Sequence, residues 1–126
     1  MRVLLLEPDR IMARCIRTEL EKRNIRVDVS VSAGDAVACA DKNKPDVVVC
    51  ELSLSGHSGT EFMYEFRTYS DWQHIPLIIF SSLNVSPEIV NCSDWNTLDI
   101  HKYMYKSRTD VVQLADEVES CVAIQP

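Results

Sequence analysis

Strand-like and helical segments alternate along the chain and predict an α/β fold, a doubly wound five-stranded parallel sheet in one domain spanning residues 1–126. Three observations carry this. The apolar runs Arg2–Leu6, Val47–Cys50 and Leu77–Ser81 are continuous rather than alternating, as in strands covered on both faces. Segments with apolar residues at helical spacing lie between and after them. A length of 126 residues, 46% hydrophobic and 25% charged, suits one globular core.

The elements follow in order. Arg2–Leu6 is a short Val/Leu strand. Asp9 stands where it caps the next helix, whose apolar face is read as Ile11, Cys15, Ile16 and Leu20, and Asn24 closes it. Residues 25–32 alternate, with Ile25, Val27, Val29 and Val31 against Arg26, Asp28 and Ser30, which predicts a sheet-edge strand with one wetter face. The Ala-rich helix Ala33–Lys42 leads to Pro45 and the central strand. Residues 60–69 read as a helix packed through Phe62, Met63 and Phe66, and Pro76 admits the fourth strand. Ser86-Pro87-Glu88 is a helix start, soon interrupted by Asn91, Ser93, Asp94, Asn96 and Thr97. Residues 102–105 form a fifth strand. Val111, Leu114, Ala115, Val118 and Val122 mark a last helix from about Thr109. There is no linker, repeat or low-complexity stretch.

Composition excludes several function classes. A net charge of −6 without a Lys/Arg cluster argues against a nucleic-acid surface. No apolar run has the length of a membrane span, and the first one meets Glu7 too soon for a signal peptide. The five cysteines (15, 39, 50, 92 and 121) include no CxxC pair, and are read as structural thiols of a cytoplasmic protein rather than disulfide or metal ligands. Met1 directly before the first strand is read as a natural N-terminus, whereas Pro126 fits either a stand-alone domain or one excised from a larger regulator.

The chemistry gathers at strand ends. Pro45-Asp46-Val47-Val48-Val49-Cys50-Glu51 delivers one carboxylate, and Leu52-Ser53-Leu54-Ser55-Gly56-His57-Ser58-Gly59 follows as a Ser/Gly-rich loop. The first strand supplies Glu7 and Asp9 around Pro8, the fourth Ser81 and Ser82, and the fifth Lys106. Parallel strands end on one edge, so these groups converge in a shallow pocket. Carboxylates with a hydroxyl and an ammonium suit a divalent cation and a phosphoryl oxygen. His57 is read as a solvated loop residue, and His57, His74 and His101 share no motif.

Taken in order, these residues resemble the receiver domains of bacterial response regulators over the whole chain. The resemblance implies a flavodoxin-like sheet of strand order 2-1-3-4-5 flanked by five helices. Glu7-Pro8-Asp9 matches the family's acidic pair, Glu51 the phospho-accepting aspartate, Ser81 the hydroxyl and Lys106 the lysine. Tyr103 matches the aromatic that couples the pocket to the output face. Four departures stand out. Glu51 replaces the nucleophilic Asp, adding one methylene and one rotor where placement within about 1 Å governs the rate. Pro8 offers no ligand where a second acid binds Mg2+. Ser107 replaces the proline after the lysine, which makes a cis bond there unexpected. The path from Ser81 to Tyr103 is longer than usual, so the fourth-helix region diverges.

The expectation is therefore an atypical receiver, not an enzyme and without a cofactor, working through protein–protein contact or dimerisation independently of phosphorylation. Glu51 holds the phospho-acceptor position with Ser81 and Lys106 in support. Glu7, Asp9 and Glu51 are the metal-ligand candidates, in a Mg2+ site weakened by Pro8. The face of the fourth helix, fifth strand and last helix, with Trp95, Tyr103 and Tyr105, is expected to take a protein partner or a second copy. The alternative is a working phospho-acceptor switched by a histidine kinase with Mg2+. A flavodoxin-like cofactor protein is disfavoured, because the loop Glu7-Pro8-Asp9-Arg10 is acidic and glycine-free, a poor phosphate cradle.

Overall fold

The computed structural model describes residues 1–54, 59–83 and 98–124. In chain order these form β1 (Arg2–Leu6), α1 (Arg10–Lys22), β2 (Arg26–Ser30), α2 (Ala33–Lys42), β3 (Val47–Cys50), α3 (Gly59–Thr68), a 3-10 turn (Ser70–Trp72), β4 (Leu77–Ser81), β5 (Ile100–Tyr105) and α4 (Val111–Ile124). The strands are all parallel, in the order β2-β1-β3-β4-β5. This is the doubly wound sheet and the strand order expected. Among the described residues there are four helices. The predicted fourth helix, opening at Ser86, lies outside them, as do His57 and Trp95.

Winding reverses at β1, so α2 and α3 cover one face of the sheet while α1 and α4 cover the other. One core joins Leu4, Leu6, Val48, Cys50, Leu77 and Ile79 to Phe62, Met63 and Phe66 of α3. The second joins Val3, Leu5, Val47, Val49, Ile78 and Phe80 to Ile16 and Leu20 of α1 and to Leu114 and Val118 of α4. Alternate residues of each central strand thus enter opposite cores, which is why these strands read as unbroken apolar runs.

Local signals explain the helix ends. Asp9 Oδ1 accepts from the backbone N–H of Ile11 at 2.9 Å and Met12 at 3.2 Å, the cap expected of it. Asn24 closes α1 with φ 62°, the left-handed conformation asparagine tolerates. Asp110 and Gln113 cap α4 reciprocally, each backbone N–H donating to the other's side chain at 2.9 and 2.7 Å.

Two burial expectations are corrected. Ile11, placed on the inner face of α1, is 76% exposed, and Cys15 is exposed too. The buried stripe is Ala13, Ile16 and Leu20. At about 100° per residue Ile11 lies about 140° around the helix from Ile16, so its hydrophobicity says nothing of its direction. On β2, Ile25 and Val27 are buried as expected, but Val29 and Val31 are 37% and 49% exposed while Ser30 is buried. Ile25 and Val27 pack against α1, whereas Val29 and Val31 belong to neither core at this open edge. β5 begins two residues earlier than predicted. Its pairing with β4 slips at the start: Leu77 faces Ile100 and Ile78 faces Lys102, so His101 is an extra residue.

Behind the sheet, Arg67 at the end of α3 ties loops together. Its guanidinium donates to the carbonyls of Leu98 (2.8 Å), Trp72 (2.9 Å), Gln73 (3.0 Å) and Asp99 (3.2 Å).

Candidate functional site

The carboxyl edge gathers its polar groups through backbone bonds that continue the ladder. Glu51 N–H donates to Leu6 O at 2.9 Å, Lys106 N–H to Ser81 O at 2.9 Å and Glu7 N–H to Ser30 O at 3.0 Å. Each side chain therefore leaves its strand beside the next. The loop after Glu51 returns closely, with Gly59 N–H donating to Leu52 O at 2.8 Å. A Cβ on Gly59 would stand 2.4 Å from Glu51 O and 2.8 Å from Leu52 Cα, so only glycine fits there.

Glu51 is 3% exposed, and both its oxygens are engaged. Oε1 accepts from the Ser81 hydroxyl and from the Ser53 N–H at 3.1 Å. Oε2 accepts from Lys106 Nζ at 2.7 Å and the Ser82 N–H at 3.3 Å. Lys106 also reaches Glu7 Oε1 at 2.5 Å, and Glu7 Oε2 accepts from the Asp9 N–H at 3.2 Å. Lys106 Nζ lies 5.7 Å from the centre of the Phe80 ring. Two buried carboxylates thus share one ammonium.

The electrostatics follow from who has more donors. Burial raises the Glu51 carboxyl, but the bonds from Lys106, Ser81 and Ser53 outweigh it and hold the group below the usual carboxylate value. For Glu7, burial outweighs the bonds from Lys106 and Asp9, and the Glu51 charge adds to it, so its carboxyl is raised. Burial disfavours the Lys106 charge, yet its bonds to Glu51 and Glu7 carry it above the ordinary lysine value.

The structure brings together Glu51, Ser81, Lys106 and Glu7, as the strand-end reading expected. Asp9 caps α1 with its carboxylate and reaches the cluster through its backbone. Tyr103 flanks the cluster, its hydroxyl donating to Leu83 O at 2.5 Å and in hydrogen-bond contact with the Ser81 side chain, and its ring 4.7 Å from that of Tyr105. The Lys106–Ser107 peptide is not cis. Sequence reasoning placed Glu7 and Ser82 at this edge but missed how they act, and it missed Ser53 as a contributor. Glu7 shares the lysine, and Ser53 and Ser82 act through their backbone N–H groups, which residue type does not advertise.

A magnesium ion demands near-octahedral oxygen ligands. In this arrangement the Lys106 ammonium takes the position between Glu7 and Glu51, Asp9 Oδ1 serves the helix, and Pro8 supplies nothing. Glu7, Asp9 and Glu51 do not converge as a ligand group among the described residues. The donor set, so arranged, fits an ammonium and not a divalent cation.

Comparison with known proteins agrees with this architecture. The chain is 30% identical over 80 residues to the KDP operon transcriptional regulatory protein KdpE of Escherichia coli K12, a match covering 64% of this chain and about a third, 34%, of that protein. Among solved structures, the non-phosphorylated HemR receiver domain of Leptospira biflexa superposes with a TM-score of 0.85 at 18% identity, covering 99% of this chain and 96% of that one. Vibrio cholerae chemotaxis protein CheY4 gives 0.84 at 18%, covering 95% and 97%. A sensor protein from Polaromonas sp. JS666 gives 0.84 at 20%, covering 97% and 95%. At such identities these structures share the fold. The response regulator receiver domain model matches residues 3–118, and the chain therefore belongs to that family, the receiver domains of two-component signalling.

Proposed function

We propose that this receiver works without phosphorylation, as a cytoplasmic protein–protein interaction module whose pocket is held in one state. The observation behind it is the saturation of Glu51: each oxygen already accepts two donors, one of them the Lys106 ammonium. An acceptor oxygen must lie open to in-line approach by a phosphoryl donor, and this one does not. A carboxylate carries about half the charge of a phosphoryl group, so Glu51 supplies a partial, permanent substitute for it. Pro8 and the employed carboxylates leave Mg2+ weakly held. Output then rests on association, through a partner or a second copy on the side of β5 bearing Tyr103 and Tyr105.

The test treats the protein with acetyl phosphate and excess Mg2+, followed by intact-mass and peptide mass spectrometry. No phosphoryl adduct and no change in oligomeric state are expected. A Mg2+-dependent adduct on Glu51 would establish the other reading, a phospho-acceptor fed by a histidine kinase, for which the retained Ser81 and Lys106 speak.

A further inference from the structure

At the far end of β5 from this pocket, three side chains of different chemistry meet. The nearest ligand atoms of His101, Glu117 and Cys121 all lie within 4.8 Å of one another. His101 Nε2 is 2.9 Å from Glu117 Oε1, and Lys102 Nζ is 3.4 Å from Glu117 Oε2. Cys121 is buried and unpaired in any disulfide. We propose that His101, Glu117 and Cys121 bind a divalent transition-metal ion of the zinc class.

Placement supports it twice. Glu117 and Cys121, four apart on α4, share one face of the helix. His101 is the extra residue in the β4–β5 register. Consecutive strand residues normally point to opposite faces, but this slip lets both His101 and Lys102 reach Glu117. Register irregularities of this kind re-aim a side chain, and here the re-aimed one is an imidazole directed at a carboxylate beside a thiol.

The donor set selects the ion. Thiolate, imidazole and carboxylate suit Zn2+ and its neighbours, whereas Mg2+ and Ca2+ want oxygen throughout. Zn–S and Zn–N bonds of about 2.3 and 2.0 Å place tetrahedral ligands roughly 3.5 Å apart, so the cluster need close by only about 1 Å. Three protein ligands and one water complete four-coordination. Binding exchanges the Cys121 S–H bond for an S–metal bond and releases that proton to solvent, with the imidazole neutral. The two ligand charges then balance the ion. Lys102, on the other carboxylate oxygen, steadies Glu117 with Oε1 turned toward the metal.

The reduced full chain is titrated with Co2+ and then Zn2+, each as the metal alone. One equivalent of Co2+ should produce a thiolate-to-cobalt charge-transfer band with the d–d bands of four-coordination, and Zn2+ should abolish both. With Zn2+ at about 100 times its Kd, Tm should rise by about 10 °C. His101→Ala and Glu117→Gln, both altering partly exposed side chains, should each weaken binding at least about tenfold. Cys121→Ser should remove the charge-transfer band; should that variant not fold, His101→Ala decides. Absence of a band and of a Tm shift in the unaltered chain would overturn the proposal, as would undiminished binding by His101→Ala.

Discussion

Oε2 of Glu51 stands 2.7 Å from the ammonium nitrogen of Lys106, deep enough that water screens little of the attraction. The same nitrogen serves Glu7, so the ends of β1 and β3 are tied through the residue that follows β5. An ion pair of this kind costs much to bury and much to break. Glu51→Gln keeps the shape but removes the charge, leaving Lys106 to Glu7 alone. We expect a loss of about 2 kcal/mol in urea unfolding, with the midpoint lowered and the slope unchanged.

The pH dependence of this triad has three signs. Glu51 is held below 4.5, so its contribution is complete above that value and fades as pH falls through the lower folded value. Glu7 is raised above 4.5, so its contribution is complete below 4.5 and is lost as pH rises through the folded value. Lys106 is raised above 10.5; its contribution is complete below 10.5 and is lost as pH climbs through the folded value. The two carboxylates therefore oppose each other in acid while the lysine is present. Lys106→Met strips the cation from both, and its stability should increase from pH 7 to pH 5 by on the order of 1 kcal/mol as Glu7 takes up a proton. Urea unfolding at the two pH values measures this, and the unaltered chain, in which Lys106 draws the Glu7 carboxyl back down, should show a smaller gain.

Gly59→Ala would press a methyl carbon into the Glu51 carbonyl and the Leu52 Cα, backbone atoms that cannot swing aside. A loss of about 3 kcal/mol is expected. Because the strain falls on the peptide carrying Glu51, the amide signals of Ser53 and Ser82 should shift in the variant's NMR spectrum.

Arg67→Met keeps the aliphatic stem but withdraws donors from four carbonyls. Loss of about 2–4 kcal/mol in thermal or urea unfolding is expected. Amide exchange should accelerate first at the start of β5, beside Leu98 and Asp99.

Much of this was legible in the residues because buried parallel strands write themselves as unbroken apolar runs, and β1, β3 and β4 do so. Faces were harder. Ile11 has the right hydrophobicity at the wrong angle, and Val29 and Val31 lie at an edge where alternation stops meaning burial. In the pocket, Glu51, Ser81 and Lys106 were found because each is a distinctive side chain at a strand end. That Glu7 shares the lysine depends on residues 99 positions apart meeting across the ends of β3 and β4, which spacing along the chain does not encode. The N–H groups of Ser53 and Ser82, and the carbonyls that hold Arg67, belong to the backbone and have no letter in the sequence. His101 was passed over because a one-residue register slip, invisible in composition, turns it toward Glu117.

The hydrogen bonds that hold the backbone at Leu83 and Leu98 come from Tyr103 and Arg67 respectively. Tyr103 lies on β5 itself, so the strand that leads to Lys106 also grips the chain just beyond β4, while Arg67 on α3 grips it just before β5 begins. The seating of β5, and with it the reach of Lys106 to its two carboxylates, is thereby set from both ends of the strand.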